Sequence, residues 1–169
     1  MKITTLEGLL ADELKDLYSA ESQMIKALPK MADAAVSDDL GRALEEHLEQ
    51  TRRHAERIEQ ICEQLNIKPK GKKCMCMEGV VEEGREVMTT AMEPDLLDAA
   101  LIGAAQRAEH YEIAAYGTAR AHARQLGLIN VADILNQTLE EEKRADQRLT
   151  GLAENRVNVQ AAMGVATPG

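Results

Sequence analysis

The sequence predicts an all-α protein, a four-helix bundle whose long central connection carries a short fifth helix. Three observations lead there. Apolar residues recur every three or four positions along four long stretches, the repeat that lines one face of an α-helix. The chain has no Phe and no Trp, so Leu, Ile, Met and Ala must fill the core, which favours long helices packed closely. Gly and Pro are few, 11 and 4 in 169 residues, and runs of β-branched residues are missing. A chain of this length fits one domain, residues 1–169, with a sizeable core.

The elements follow in order. Thr4-Thr-Leu-Glu7 offers a capping box for a first helix that reaches about Ala35, with a kink expected at Pro29, which lacks a backbone donor. Ser37, Asp38 and Asp39 end that helix and cap a second, from about Leu40 to Leu65. The stretch from Asn66 through Pro69 to Gly71 breaks the pattern. A shorter helix is expected over about 76–91, with Gly79 and Gly84 inside it, either covering a groove on its own bundle or meeting a second copy. Glu93-Pro94-Asp95 restarts the chain with Pro at a favoured first-turn position. This third long helix ends near Gly127, a natural left-handed terminator. The fourth runs from about Asn130 to Ala153, and the weakly patterned tail, about 155–169, is expected to wrap the surface or fray. Two helical hairpins joined by a long connection make the bundle.

Charge narrows the function. With 29 acidic and 20 basic side chains the net charge is -9, which argues against general nucleic-acid binding and suits a protein that attracts cations. The one basic cluster, Lys68, Lys70, Lys72 and Lys73, reads as a solvated loop. The opening "MKITTLEGLLADELKD" turns acidic too early for a signal peptide, and the longest apolar run, "AALIGAA", is too short to cross a bilayer. A cytoplasmic protein that binds no membrane is expected. Three cysteines, Cys62, Cys74 and Cys76, make a poor disulfide framework, and Cys74-Met-Cys76 alone is a weak soft-metal signal.

The chemistry lies in what interrupts the apolar stripes. The first helix gives Leu10, Leu14, Leu17, Glu21, Met24, Leu28 and Met31. The second gives Leu40, Leu44, His47, Thr51, His54, Ile58 and Ile61, with Gln50 alongside. The third long helix gives Leu97, Leu101, Ala105, Ala108, Glu112, Ala115 and Ala119, with Glu109 on the same face. The fourth gives Leu135, Leu139, Glu142, Asp146 and Leu149. Helices rise about 1.5 Å per residue, so distance from each hairpin turn measures height. Glu21 lies 16 residues before position 37, and Gln50 and His54 lie 13 and 17 after it. Glu112 and Glu109 lie 16 and 19 before position 128, and Glu142 and Asp146 lie 14 and 18 after it. All fall near mid-helix, at one level.

Burying ionised carboxylates costs several kcal/mol per ion, so such a layer needs protons, basic partners or bound cations. Lys and Arg are absent from the inward stripes at this level. Two divalent cations about 3.5–4 Å apart, bridged by carboxylates, would compensate directly. Hard oxygen donors with one or two imidazoles suit iron or manganese, and zinc less specifically. The candidate ligands are Glu21, Gln50, His54, Glu109, Glu112, Glu142 and Asp146, with His47, Tyr18 and Tyr116 as outer partners that orient them.

The segments "LADELKDLYSAE" (10–21), "EEHLEQTRRH" (45–54), "KKCMCMEGVVEEG" (72–84), "AAQRAEHYEIAAYGTARA" (104–121) and "TLEEEKRAD" (138–146) resemble the ferritin-like superfamily. More closely, they are similar to its YciE/YciF-like branch of bacterial stress-associated proteins, "EHYEIAAYGT" being the most distinctive part. The resemblance implies an up-down-down-up bundle with a long crossover, a homodimer and a dinuclear metal site, with ferroxidase-like or peroxide-scavenging chemistry as the natural expectation. The chain departs from the usual ferritin-like pattern, which carries Glu-x-x-His on two helices. Here the second helix offers His47-x-x-Gln50-x-x-x-His54, and the neutral Gln50 stands where a bridging carboxylate is wanted. Three readings follow: a metal-dependent redox protein acting on peroxide or dioxygen, a metal-binding stress protein without turnover, and a helical scaffold whose polar layer is vestigial and protonated.

Overall fold

Local signals place the ends of the helices. In a computed structural model that describes residues 3–164, helix α1 spans Leu6–Ala34, α2 Asp38–Gln64, α3 Met75–Thr89, α4 Pro94–Gln125 and α5 Ile129–Leu152. Thr5 caps α1 through its hydroxyl, which accepts from the Gly8 amide at 3.1 Å. The expected capping box is incomplete, because Gly8 occupies the third helical position where the reciprocal Glu is needed. α1 continues through Pro29 to Ala34. Ser37 caps α2. Asn66 and Gly127 adopt φ of 59° and 72° just past the ends of α2 and α4, the left-handed terminators that close a helix. Pro94 opens α4 as predicted.

The first part of the tail is helical. α5 passes through a π-helical turn, Ala153–Val157, into a short α6, Asn158–Gly164. Val157 and Ala161 are buried, and this extension lies against α4. Residues 165–169 of the predicted tail lie outside the described ones. The basic loop is also only partly solvated, since the Lys72 ammonium reaches Asp12 at 2.5 Å and Asp16 at 3.3 Å on α1.

α1 pairs with α2 and α4 with α5, while α1 packs on α4 and α2 on α5, so the four long helices form a closed ring. The direction of the second hairpin is set by Asp98, near the start of α4. Its carboxylate accepts from the Val36 and Ser37 amides at 2.7 and 2.8 Å, in the α1–α2 turn. α4 therefore starts at the end where α1 finishes, which gives the up-down-down-up order. The connection carrying α3 runs the length of the bundle and lays α3 over α1 and α4. Cys74 and Met77 anchor it in the core, and a cleft of about 410 Å³ opens between α3 and the Ala104, Ala105 and Ala108 stretch of α4.

The apolar core is in two parts. One contains Met24, Leu28, Leu40, Leu44, Leu101 and Ala105; the other contains Leu10, Leu14, Ile58, Ile61, Ala119 and Leu135. Between them, at the waist, lie the polar side chains. Among the described residues no helix is long and apolar enough to cross a membrane.

Candidate metal centre

Each long helix contributes to the waist. Glu21 comes from α1, His47 and His54 from α2, Glu109 and Glu112 from α4, and Glu142 from α5. The four glutamates are sealed in, none of them exceeding 1% exposure. Their donor atoms form two groups that share Glu142: His47, Glu109, Glu112 and Glu142, and Glu21, His54 and Glu142, the atoms of each lying within 4.8 Å of one another. The two Glu142 oxygens divide between them. Oε1 lies 2.7 Å from His54 Nδ1, and Oε2 lies 3.9 Å from His47 Nε2.

Nine of these buried atoms lack a hydrogen-bond partner: Glu21 Oε2, His47 Nε2, His54 Nδ1 and both oxygens of Glu109, Glu112 and Glu142. His47 Nε2 stands 3.0 Å from Glu109 Oε1 and His54 Nδ1 stands 2.7 Å from Glu142, yet without the alignment a hydrogen bond needs. Donors about 3 Å apart, aimed past one another, are spaced as neighbours around a cation with bonds of about 2.1 Å. Unpaired buried polar atoms are rare and costly, and nine in one place form a donor set that could hold a cation.

Electrostatics show the strain without a cation. Burial, reinforced by Glu142 and opposed by His54, pushes the Glu21 carboxyl up to about 8. Burial raises Glu109 to about 7 against the pull of His47. Glu112 is raised well above the usual carboxylate range by burial and by the charges of Glu21, Glu142 and Glu109. Burial alone would lower His47, but Glu109 and Glu142 outweigh it and push the imidazole up to about 10. Burial would also raise Glu142, but His54 and His47 hold it below the ordinary range.

The histidines are held from outside. His54 Nε2 meets Glu141 at 2.8 Å, and Glu141 is in turn gripped by Arg57 at 2.7 and 3.0 Å. Burial would raise the Glu141 carboxyl, but Arg57 and His54 bring it down to about 2. His47 Nδ1 faces the Gln50 carbonyl at 3.4 Å. In both rings one nitrogen meets an outer acceptor and the other faces the carboxylates, the arrangement that orients a metal-binding imidazole. The Tyr116 hydroxyl donates to Glu21 from within the core.

The structure does not bring every expected residue into the two groups. His47, expected as an outer partner, stands among the inner donor atoms, and Gln50, expected as a ligand, sits behind it. Asp146 is outside both groups. It follows Glu142 by four residues, which turns it about 40° off the inner seam, where it accepts from Gln106 at 3.0 Å and lies 3.3 Å from His110. Tyr18 donates to Glu59 at 2.6 Å on the α1–α2 surface and does not reach the waist. Glu141 and Arg57 went unnoticed, because "LEEEK" reads as a solvated acidic face; the available signal was the His54 and Arg57 spacing of three on α2. The cysteines belong to neither donor group: Cys74 is buried with its thiol toward Tyr111, and Cys76 is exposed.

Known proteins share this architecture. Protein YciF of Escherichia coli K12 is 47% identical over 162 residues, covering 95% of this chain and 98% of its own. The crystal structure of YciF, described as a stress protein, superimposes with a TM-score of 0.89 over 92% of this chain and 99% of that one. YcfI of Rhodopseudomonas palustris is 42% identical, with a TM-score of 0.85 over 88% and 95% of the two chains. A Xanthomonas campestris protein at 22% identity, TM-score 0.75 over 95% and 99%, shares the fold. Residues 5–162 match the family described as a domain of unknown function, DUF892, and the chain belongs to that family.

Proposed function

We propose that this chain is a ferritin-like, stress-associated protein whose waist holds two divalent cations, iron or manganese, and that the loaded centre acts on peroxide or dioxygen. The observation that carries this reading is the set of nine buried donor atoms left without partners. His47, Glu109 and Glu112 would hold one ion, Glu21 and His54 the other, and Glu142 would bridge them. Such ions supply redox chemistry toward small oxidants. The protein's part is to fix the donors and keep bulk water from the waist, with Glu141 and Gln50 orienting the imidazoles and Tyr116 orienting Glu21. The likeness to YciF, described as a stress protein, supports the setting. A cytoplasmic homodimer completes the proposal.

Elemental analysis of protein purified without chelator tests it, with two ions per chain expected. Glu112→Leu should abolish metal-dependent peroxide consumption while leaving helicity intact. It should also raise the melting temperature of the metal-free protein, since an apolar group replaces a buried acid whose oxygens lack partners. Metal uptake and turnover equal to those of the parent would refute the assignment.

A second reading keeps the cluster without turnover. Both imidazoles already lie against carboxylates, so with added protons the layer can neutralise itself as part of a scaffold. That reading predicts no stoichiometric metal and a melting temperature indifferent to chelator.

A further inference from the structure

The two donor groups differ in how they are enclosed. Glu21, His54 and Glu142 are fully buried, and the outer side of His54 is closed by Glu141 and Arg57. Beside the other group, a cavity of about 210 Å³ lies between α2 and α5. Its inner end is formed by His47 and Glu109, including the unpartnered His47 Nε2 and Glu109 oxygens. Its outer end is formed by the exposed side chains of Glu46, Arg144 and Arg148. The larger cleft under α3 has none of the six donor residues in its lining.

Size and charge define what fits. At about 30 Å³ per water, the cavity has room for a handful of waters, below the 300–1,000 Å³ typical of sites for larger organic ligands. Two guanidiniums face one carboxylate at the mouth. Arg148 pairs with Glu46, and Arg144 has no ion pair among the described residues. Among the lining side chains outside the donor group the excess is positive, on a chain whose net charge is -9, and Gln50 further in adds no charge. A local field of one sign at a cleft raises the concentration of the opposite ion.

We propose that this cavity is the route by which a small anion, or its neutral conjugate acid, reaches the His47 side of the centre, and that Arg144 and Arg148 set the preference for anions. The inference rests on the reading of the waist as a metal centre. It adds the substrate class, a small oxidant of a few heavy atoms, and the side from which it arrives.

The probe is azide binding to cobalt(II)-loaded protein, followed by absorbance in equilibrium and stopped-flow experiments, with cobalt content measured in every sample. R144E/R148E should weaken azide binding tenfold or more at low salt, with cobalt content unchanged. Ala145→Trp, which narrows the cavity between its two ends, should slow azide association at least tenfold. K26E/K30E makes the same change in charge at the cleft under α3 and should leave azide binding within twofold. Loaded protein whose azide affinity and rate survive both cavity variants overturns the route while the metal centre stands. Equal weakening by K26E/K30E would also overturn it, since net charge alone would then be responsible. Failure of the parent protein to take up cobalt overturns both readings. If Ala145→Trp misfolds, the surface charge reversal still decides.

Discussion

His54 shows how a single ring is prepared for a cation. Its Nε2 is fixed by Glu141, and Glu141 by the Arg57 guanidinium, leaving Nδ1 between Glu142 at 2.7 Å and Glu21 at 3.7 Å. Removing the outer carboxylate frees the ring to rotate and lowers its basicity, effects that typically cost 10–100-fold in metal affinity. Glu141→Ala should therefore weaken metal binding by about that factor in competition with a chelating dye, with helicity retained. Asp146→Ala should change it by less than about 0.5 kcal/mol, as expected of a substitution away from the site. Equal effects from the two would contradict the geometry. The sequence identified six residues that meet at the waist, because a charged or polar group interrupting an apolar stripe is visible from spacing alone. It placed Gln50 among the ligands and His47 among the outer partners. His47 and Gln50 are three apart on one helix face, so periodicity gives both a similar direction; only the distances show His47 inward and Gln50 behind it. Glu141 was hidden by its neighbours, since an acidic run is read as solvated until an Arg on another helix is seen to reach it.

At the scale of elements, the α1–α2 turn carries more than a local cap. Asp98 lies 61 and 62 residues from the amides it accepts and is 3% exposed, so it ties the start of one hairpin to the tip of the other. Asp98→Ala leaves two amides without their acceptor, and hydrogen bonds to a charged group are worth about 1.5–3 kcal/mol. A loss of that order should appear as a melting temperature lowered by roughly 2–4 °C per kcal/mol for a chain of this size. Asp98→Asn, which keeps one acceptor oxygen, should lose less. A variant melting with the parent would show the tie to be dispensable. Helix limits were legible because Thr5, Ser37, Pro94 and Gly127 announce themselves locally. The long-range tie was not, for Asp98 reads as an ordinary acidic residue near a helix N-terminus. The helical extension after Leu152 escaped for a similar reason: Val157 and Ala161 become a buried face only once α4 is present to cover them.

For the whole molecule, the polar waist between two apolar halves makes stability a function of pH and of metal together. Without a cation, Glu21 and Glu109 hold protons up to about 8 and about 7, against about 4.3 in an unfolded chain. His47 holds its proton up to about 10, against about 6.5 unfolded. Above each unfolded value the folded state binds the extra proton, so the stability these groups contribute is complete at low pH and is lost as pH rises through the folded value. All three act in one direction. Glu141 and Glu142, whose values are lowered, act oppositely, but their contribution is lost only as pH falls below about 4.3. Chelator-treated protein should therefore become less stable from about pH 5.5 to about pH 8.5. Metal displaces those protons and binds more tightly as they become easier to remove, and a ligand that prefers the native state stabilises it by mass action. With manganese(II) the decline should flatten or reverse, so the gap between the two melting temperatures widens as pH rises. Parallel curves with and without manganese would mean that protons and metal do not compete for the same carboxylates, and the waist would then be a buried proton store with no claim on a cation.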